Sequence, residues 1–270
     1  MKIGILSDVH IDQNTYEEKT VLEGLTSAIK SHKVDLMMIA GDISNNFEVS
    51  LEFLNNLERK TGVSCIFTPG NHDIWNESHK QKNAWDIYKE YKNHPGNIVN
   101  GPIKLKKDWV VIGDIGWYDY SFGSDKFSKE EFDEMHIDDR TWQDKIKALW
   151  DRETVEMHKL FYEKIKKQVD ENLDKNIILM THVVTHKDFT VQNPNHMWKY
   201  LNAFLGSEEY GKLVLDKKIK YSVFGHVHYR MEKEIENSKF ICNCLGTIDE
   251  WQGRKNPIEE VMNTFKVINI

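Results

Sequence analysis

The chain has 270 residues, with 36 Lys+Arg against 43 Asp+Glu and a formal net charge of −7. With 40% hydrophobic and 29% charged residues it has the balance of a globular protein, not of a disordered or fibrous one. The acidic surplus offers no bulk attraction to nucleic acid or an anionic membrane, and three cysteines (Cys65, Cys242 and Cys244) make no disulfide framework.

In chain order, KIGILS (2–7) reads as a buried strand. Residues 15–31 read as a helix with a stripe of Val21, Leu22, Leu25 and Ile29, and DLMMIA (35–40) as a second strand. A helix over 48–59 and a strand at 63–68 complete a strand–helix–strand–helix–strand run, which predicts right-handed crossovers and a parallel sheet. A helix over 83–93 and a strand at 109–117 follow. From Trp117 to Asn176 charge and aromatics dominate, ending in a long helix on which Met157, Phe161, Ile165, Val169 and Leu173 recur every fourth residue. Strands follow at 176–182, 220–226, 240–246 and 265–270, with a helix start near Ser207. This reads as one α/β domain, residues 1–270, with a charged, partly helical insertion at 117–176. An insertion of that length predicts a lid over a binding cleft. The N-terminal apolar run is too short for a signal peptide, and no stretch reaches transmembrane length, so the expected compartment is the cytoplasm.

Five polar clusters each follow an apolar strand directly. They are Asp8-x-His10, Gly41-Asp42, Gly70-Asn71-His72-Asp73, Thr181-His182 and Gly225-His226-x-His228. Loops leaving the carboxyl ends of strands in an α/β sheet converge on one crevice. Asp8, His10, Asp42, Asn71, His72, His182, His226 and His228 are therefore expected in one place. Carboxylates and imidazoles gathered there call for a cation, because buried unpaired charge is costly. Oxygen and imidazole donors without thiolate suit Mn, Fe or Zn, and there are donors enough for two ions. Such a pair clamps both oxygens of an in-line displacement at phosphorus and acidifies a shared water. The glycines let backbone approach the ions closely.

This ordered series of motifs, spanning Asp8 to His228, resembles the calcineurin-like metallophosphoesterase superfamily. The resemblance implies a four-layer α/β/β/α sandwich and two divalent or trivalent ions. Asp8, His10 and His228 would hold the first ion, Asn71, His182 and His226 the second, with Asp42 bridging. It implies hydrolysis by a metal-bridging hydroxide, with His72 as a non-ligand proton donor to the leaving group. Asp73 is placed to hydrogen-bond His72 and fix its tautomer.

The expected activity is a phosphodiesterase on a small-molecule substrate, nucleotide-like molecules included. A phosphomonoesterase or nuclease with the same centre is the alternative, and the net charge speaks against nucleic acid. A catalytically silent scaffold is the non-enzymatic alternative, and it conflicts with the intact ligand set and His72. Candidates for touching substrate are Trp117 and Tyr118 by stacking, Arg140 by gripping a phosphate, and His186. Packing of the two aromatics into the fold competes with the stacking role.

Overall fold

A computed structural model of the chain describes every residue except Glu18, Lys107 and Arg254. Strand β1 (Lys2–Leu6) leads through a small hairpin, β2 (Thr15–Tyr16) and β3 (Lys19–Thr20), into helix α1 (Val21–His32). Next come β4 (Leu36–Ala40), α2 (Phe47–Thr61), β5 (Cys65–Thr68) and α3 (Ala84–Tyr91). Strands β6 (Ile103–Lys104) and β7 (Trp109–Gly113) precede the insertion. The insertion holds α4 (Lys129–Asp133), the hairpin β8 (His136–Ile137) and β9 (Arg140–Thr141), the short α5 (Asp144–Lys147) and α6 (Thr154–Asp170). After β10 (Asn176–Met180) come α7 (His196–Leu201), α8 (Glu208–Asp216), β11 (Tyr221–Phe224), β12 (Arg230–Ile235), β13 (Ser238–Asn243), α9 (Pro257–Thr264) and β14 (Lys266–Asn269).

Two sheets form the centre. One has strand order β14-β1-β4-β5 and the other β12-β13-β11-β10-β7-β6. In each, the central strands run parallel, while β14 at one edge of the first sheet and β12 and β6 at both edges of the second run antiparallel. The side-chain period of two divides each strand between two layers. Ile3, Ile5, Leu36 and Met38 face Val111, Ile178, Val223 and Ile241 between the sheets. Met37, Ile39 and Phe67 point outward under Leu25, Leu54 and Val261 of the helices α1, α2 and α9. Ile112, Ile177 and Leu179 point the other way, under Ile165, Val169, Leu213 and Val214 of α6 and α8. Burial on both faces is why these strands read as unbroken apolar runs.

Several boundaries differ from the sequence reading for local reasons. Helix α1 starts at Val21, not residue 15, because Thr20 and Glu23 form a capping box and Thr15–Tyr16 pair with Lys19–Thr20 as a hairpin instead. Helix α6 stops at Asp170, which leaves Leu173 52% exposed outside the stripe. The alternately charged strand β12 gives no apolar signal because it is an exposed sheet edge. Among the described residues no helix is long and apolar enough to cross a membrane.

At one end the two sheets are stitched together. Ser7 pairs with Cys244 across the gap, and Ser7 N–H donates to Asn243 O at 3.0 Å. The buried Asn243 Nδ2 donates to Ile5 O at 3.1 Å and Thr264 O at 2.9 Å. Replacing Asn243 by Ala strips the donor from two buried carbonyls. It should lower unfolding free energy by about 2–3 kcal/mol, read as a lower denaturant midpoint at unchanged slope. An unchanged midpoint would dismiss the stitch.

Candidate metal centre

The stitched end is also the carboxyl end of β1, β4, β5, β10 and β11, and the five polar clusters all emerge there. Their backbone is unusual. Asp8, His10, Asp42, His226 and His228 have φ of 51°, 37°, 54°, 76° and 53°. Side-chain-bearing residues rarely adopt this left-handed region, and such strain persists only where surrounding structure imposes it. Gly70 shows the crowding: a Cβ there would strike the Asp42 carboxylate and amide nitrogen.

The clusters place donor atoms in two adjoining groups. In the first, His10 Nε2 lies 3.1 Å from His228 Nε2 and 3.8 Å from Asp42 Oδ2, and Asp8 Oδ1 lies 3.6 Å from His228 Nε2. In the second, His182 Nε2 lies 2.9 Å from Asn71 Oδ1, 3.2 Å from His226 Nδ1 and 3.3 Å from Asp42 Oδ1. Asp42 thus offers one oxygen to each group. Asp8, His10, Asp42, Asn71, His182, His226 and His228 all meet here, and every one but His226 and His228 is buried.

The far nitrogens set the tautomers. His182 Nδ1 faces Ala40 O at 2.9 Å, His226 Nε2 faces Phe204 O at 3.0 Å, and His228 Nδ1 faces Glu250 Oε2 at 2.6 Å. Each must donate a proton to its oxygen, which turns a lone pair inward on the other nitrogen. His10 Nδ1 is buried without a hydrogen-bond partner among the described residues. Inward lone pairs at these spacings repel unless protons or cations lie between them. The nitrogen and oxygen donor set, with no sulfur, suits divalent ions of the Mn, Fe and Zn kind.

His72 stands beside the groups. Its Nε2 is 4.0 Å from Asp42 Oδ2, its ring centroid is 3.6 Å from that of Trp75, and its Nδ1 donates to Asn45 Oδ1 at 2.8 Å. Asp73 therefore does not orient His72, contrary to the sequence reading. The Asp73 carboxylate turns away, into the interior. It accepts from the backbone N–H groups of Ile43, Ser44 and Gly70, from Ser50 Oγ and from Tyr91 OH. These bonds lock the loop bearing Asp42 to the loop bearing Asn71. Asn45, three residues past Asp42, takes the role expected of Asp73.

Above the donor atoms opens a cleft of about 380 Å³. Trp75, Trp142, Trp198 and Leu201 form apolar walls, and Arg140 stands at the rim. The other candidate substrate residues lie elsewhere. Trp117 and Tyr118 are 1% and 0% exposed and stack on each other within the insertion's aromatic core. Strand β7 ends at Gly113, and a left-handed turn at Gly116 (φ 71°) sends both rings inward. His186 caps the turn at 187–189 and lines a separate hollow beside Lys212. Trp142, Trp198, Asn45, Glu250 and Asp144 carried no motif in the sequence.

A family model described as calcineurin-like phosphoesterase matches residues 1–230. The chain belongs to the calcineurin-like phosphoesterase family. Its fold is similar to that of a phosphopantetheinyl hydrolase from Mycobacterium tuberculosis, with a TM-score of 0.76 at 16% identity over 93% of this chain and 91% of that one. It is similar also to the protein TT1561 of Thermus thermophilus, with a TM-score of 0.55 at 12% identity over 99% and 98%. No curated protein matches the chain in sequence. Membership and the two donor groups make this a metal-dependent hydrolase of phosphoester bonds.

The imidazoles of this phosphoesterase divide in their protonation. Burial lowers His10 and His226, leaving them neutral and ready to ligate. Burial opposes charge on His182 too, yet the Asp42 carboxylate overrides it and raises the pKa to about 10. For His228, burial is outweighed by Glu250 and Asp8, which raise it to about 9. Without metal, each donor group thus holds one proton at neutral pH, where an ion must displace it. Raising pH weakens that competition, so binding strengthens with pH until these groups titrate. Apparent Mn²⁺ affinity at each site should rise about tenfold per unit between about pH 6 and 8. Calorimetry in buffers of different ionisation heat should count about one proton released per ion. Release of none would contradict the assignment.

Proposed function

We propose that this phosphoesterase is a phosphodiesterase acting on a small substrate, with two metal ions held by the two donor groups. Asp8, His10 and His228 would hold the first ion and Asn71, His182 and His226 the second, with one Asp42 oxygen turned toward each group. Ions held there supply Lewis acidity to a phosphoryl group and to water. The observation that carries the diester reading is the cleft directly over those donors. Its walls are apolar and aromatic (Trp75, Trp142, Trp198 and Leu201), and Arg140 is the cation at its rim. A diester carries one charge and a second organic substituent, which such walls would shelter from water. The volume of about 380 Å³ suits a substituent of nucleoside or slender-chain size. The neighbour named a phosphopantetheinyl hydrolase agrees with a slender chain carried on phosphorus.

His72 is the proton donor in this reading. Burial pushes its pKa down to about 3 despite the Asp42 charge, so the free enzyme holds it neutral with its proton on Nδ1 toward Asn45. A substrate phosphate beside Nε2 adds the negative charge that favours a second proton there. That proton passes to the departing alkoxide as the ester P–O bond breaks, while water forms the new P–O bond and gives up a proton to solvent.

With Mn²⁺-loaded protein, bis(p-nitrophenyl) phosphate should be turned over faster than p-nitrophenyl phosphate. Faster turnover of the monoester would refute the diester reading. Asp42→Ala should abolish turnover and ion binding together. His72→Asn should keep both ions and lose about 10²–10⁴ in kcat on alkyl esters. Its loss on p-nitrophenyl esters should be smaller, because that leaving group needs little help from an acid. Equal losses on both would remove His72 from the proton-donor role.

A further inference from the structure

Asp144 opens helix α5 inside the insertion and is only 3% exposed, yet among the described residues it has no ion-pair partner. Four neutral donors surround its carboxylate. Oδ1 accepts from Asn71 Nδ2 at 2.9 Å and from Trp75 Nε1 at 2.7 Å. Oδ2 accepts from Trp142 Nε1 at 2.9 Å and from Tyr118 OH at 3.2 Å. A buried carboxylate held by uncharged groups is costly unless nearly every lone pair is used. An insertion that needed only packing would place an apolar side chain there.

The bond to Asn71 has a chemical consequence. A carboxylate accepts only, so it must face the NH₂ of the Asn71 amide and never its oxygen. The amide oxygen is thereby turned toward His182 Nε2 and His226 Nδ1, at 2.9 Å and 3.0 Å. Without that pull the amide is free to flip, because its NH₂ can then donate to the lone pair on His226 Nδ1. A flipped Asn71 offers a cation no oxygen. Resting on the two-ion reading above, we infer that Asp144 is a positioning residue: it fixes the Asn71 amide in its metal-binding orientation and so ties the second site to the seating of the insertion. Tyr118 and Trp142 donate to the other oxygen, Oδ2, which seats the carboxylate in the insertion while Oδ1 alone holds Asn71.

Titration of metal-free protein with Mn²⁺, followed by calorimetry and by the paramagnetic resonance of free Mn²⁺, tests this. Wild type should bind two ions. Asp144→Asn should bind one with unchanged affinity and the other about 10–100-fold more weakly. Tyr118→Phe removes a donor to Asp144 without touching Asn71, and should lower thermal stability while leaving both affinities intact. The exchanged pair Asn71→Asp with Asp144→Asn restores the bond with donor and acceptor reversed. It should bind the second ion more tightly than Asn71→Asp alone, where two carboxylates face each other. Wild-type affinity at both sites in Asp144→Asn, or equal weakening of both, overturns the inference while the two-ion reading survives. So does an exchanged pair no better than Asn71→Asp, should Asp144→Asn not fold. A wild type that binds no ion pair overturns both.

Discussion

Lone pairs crowded against lone pairs govern this end of the molecule. Imidazole nitrogens and amide and carboxylate oxygens face one another at about 3 Å, and the hydrogen bonds behind them prevent the rings from turning away. Such an arrangement is unfavourable by itself and becomes favourable only when positive charge enters. In the protein alone, protons on His182 and His228 meet part of that need. The rest of the structure holds the donors in place against their repulsion. The left-handed backbone at five donor residues and the absence of a side chain at Gly70 are local consequences of that confinement.

Two buried carboxylates do the holding, and neither belongs to a donor group. Asp73 clamps the loops after β4 and β5 through backbone amides, which sets the spacing between Asp42 and Asn71. Burial and the Asp42 charge push its pKa up to about 6 against those amides, a measure of how far from water it lies. Asp144 acts from the other side, out of the insertion, on the Asn71 amide. The sandwich thus supplies the donor groups, and the segment joining β7 to β10 supplies both a wall of the cleft and a grip on Asn71. Helix α6 of that segment is part of the sandwich itself, since its Ile165 and Val169 cover the outer face of the six-stranded sheet.

That these residues would gather in one place was legible in the sequence because each is tied to a local signal. An apolar run buried on both faces ends, and a polar cluster with a glycine begins. Parallel strands then bring such clusters to a common edge whatever their distance along the chain. The same logic made α6 legible, since its stripe repeats within one helix. It failed for Trp117 and Tyr118, where the residue types were right for a substrate wall but a single turn at Gly116 reversed their direction. It failed for Asp73 too, because the residue next to a histidine in sequence need not share its side of the chain.

By itself, then, the sequence determined the family, the parallel core and the residues around the candidate metal centre, because strand periodicity and strand-end motifs are properties of short segments. Only the tertiary structure decided which groups orient those residues. The pairs His72–Asn45, Asn71–Asp144 and His228–Glu250 are 27, 73 and 22 positions apart, and each joins a motif to a residue with no motif around it. A hydrogen bond of that kind depends on where two loops come to rest against each other, and loop placement follows from packing across the whole fold, which no local pattern encodes.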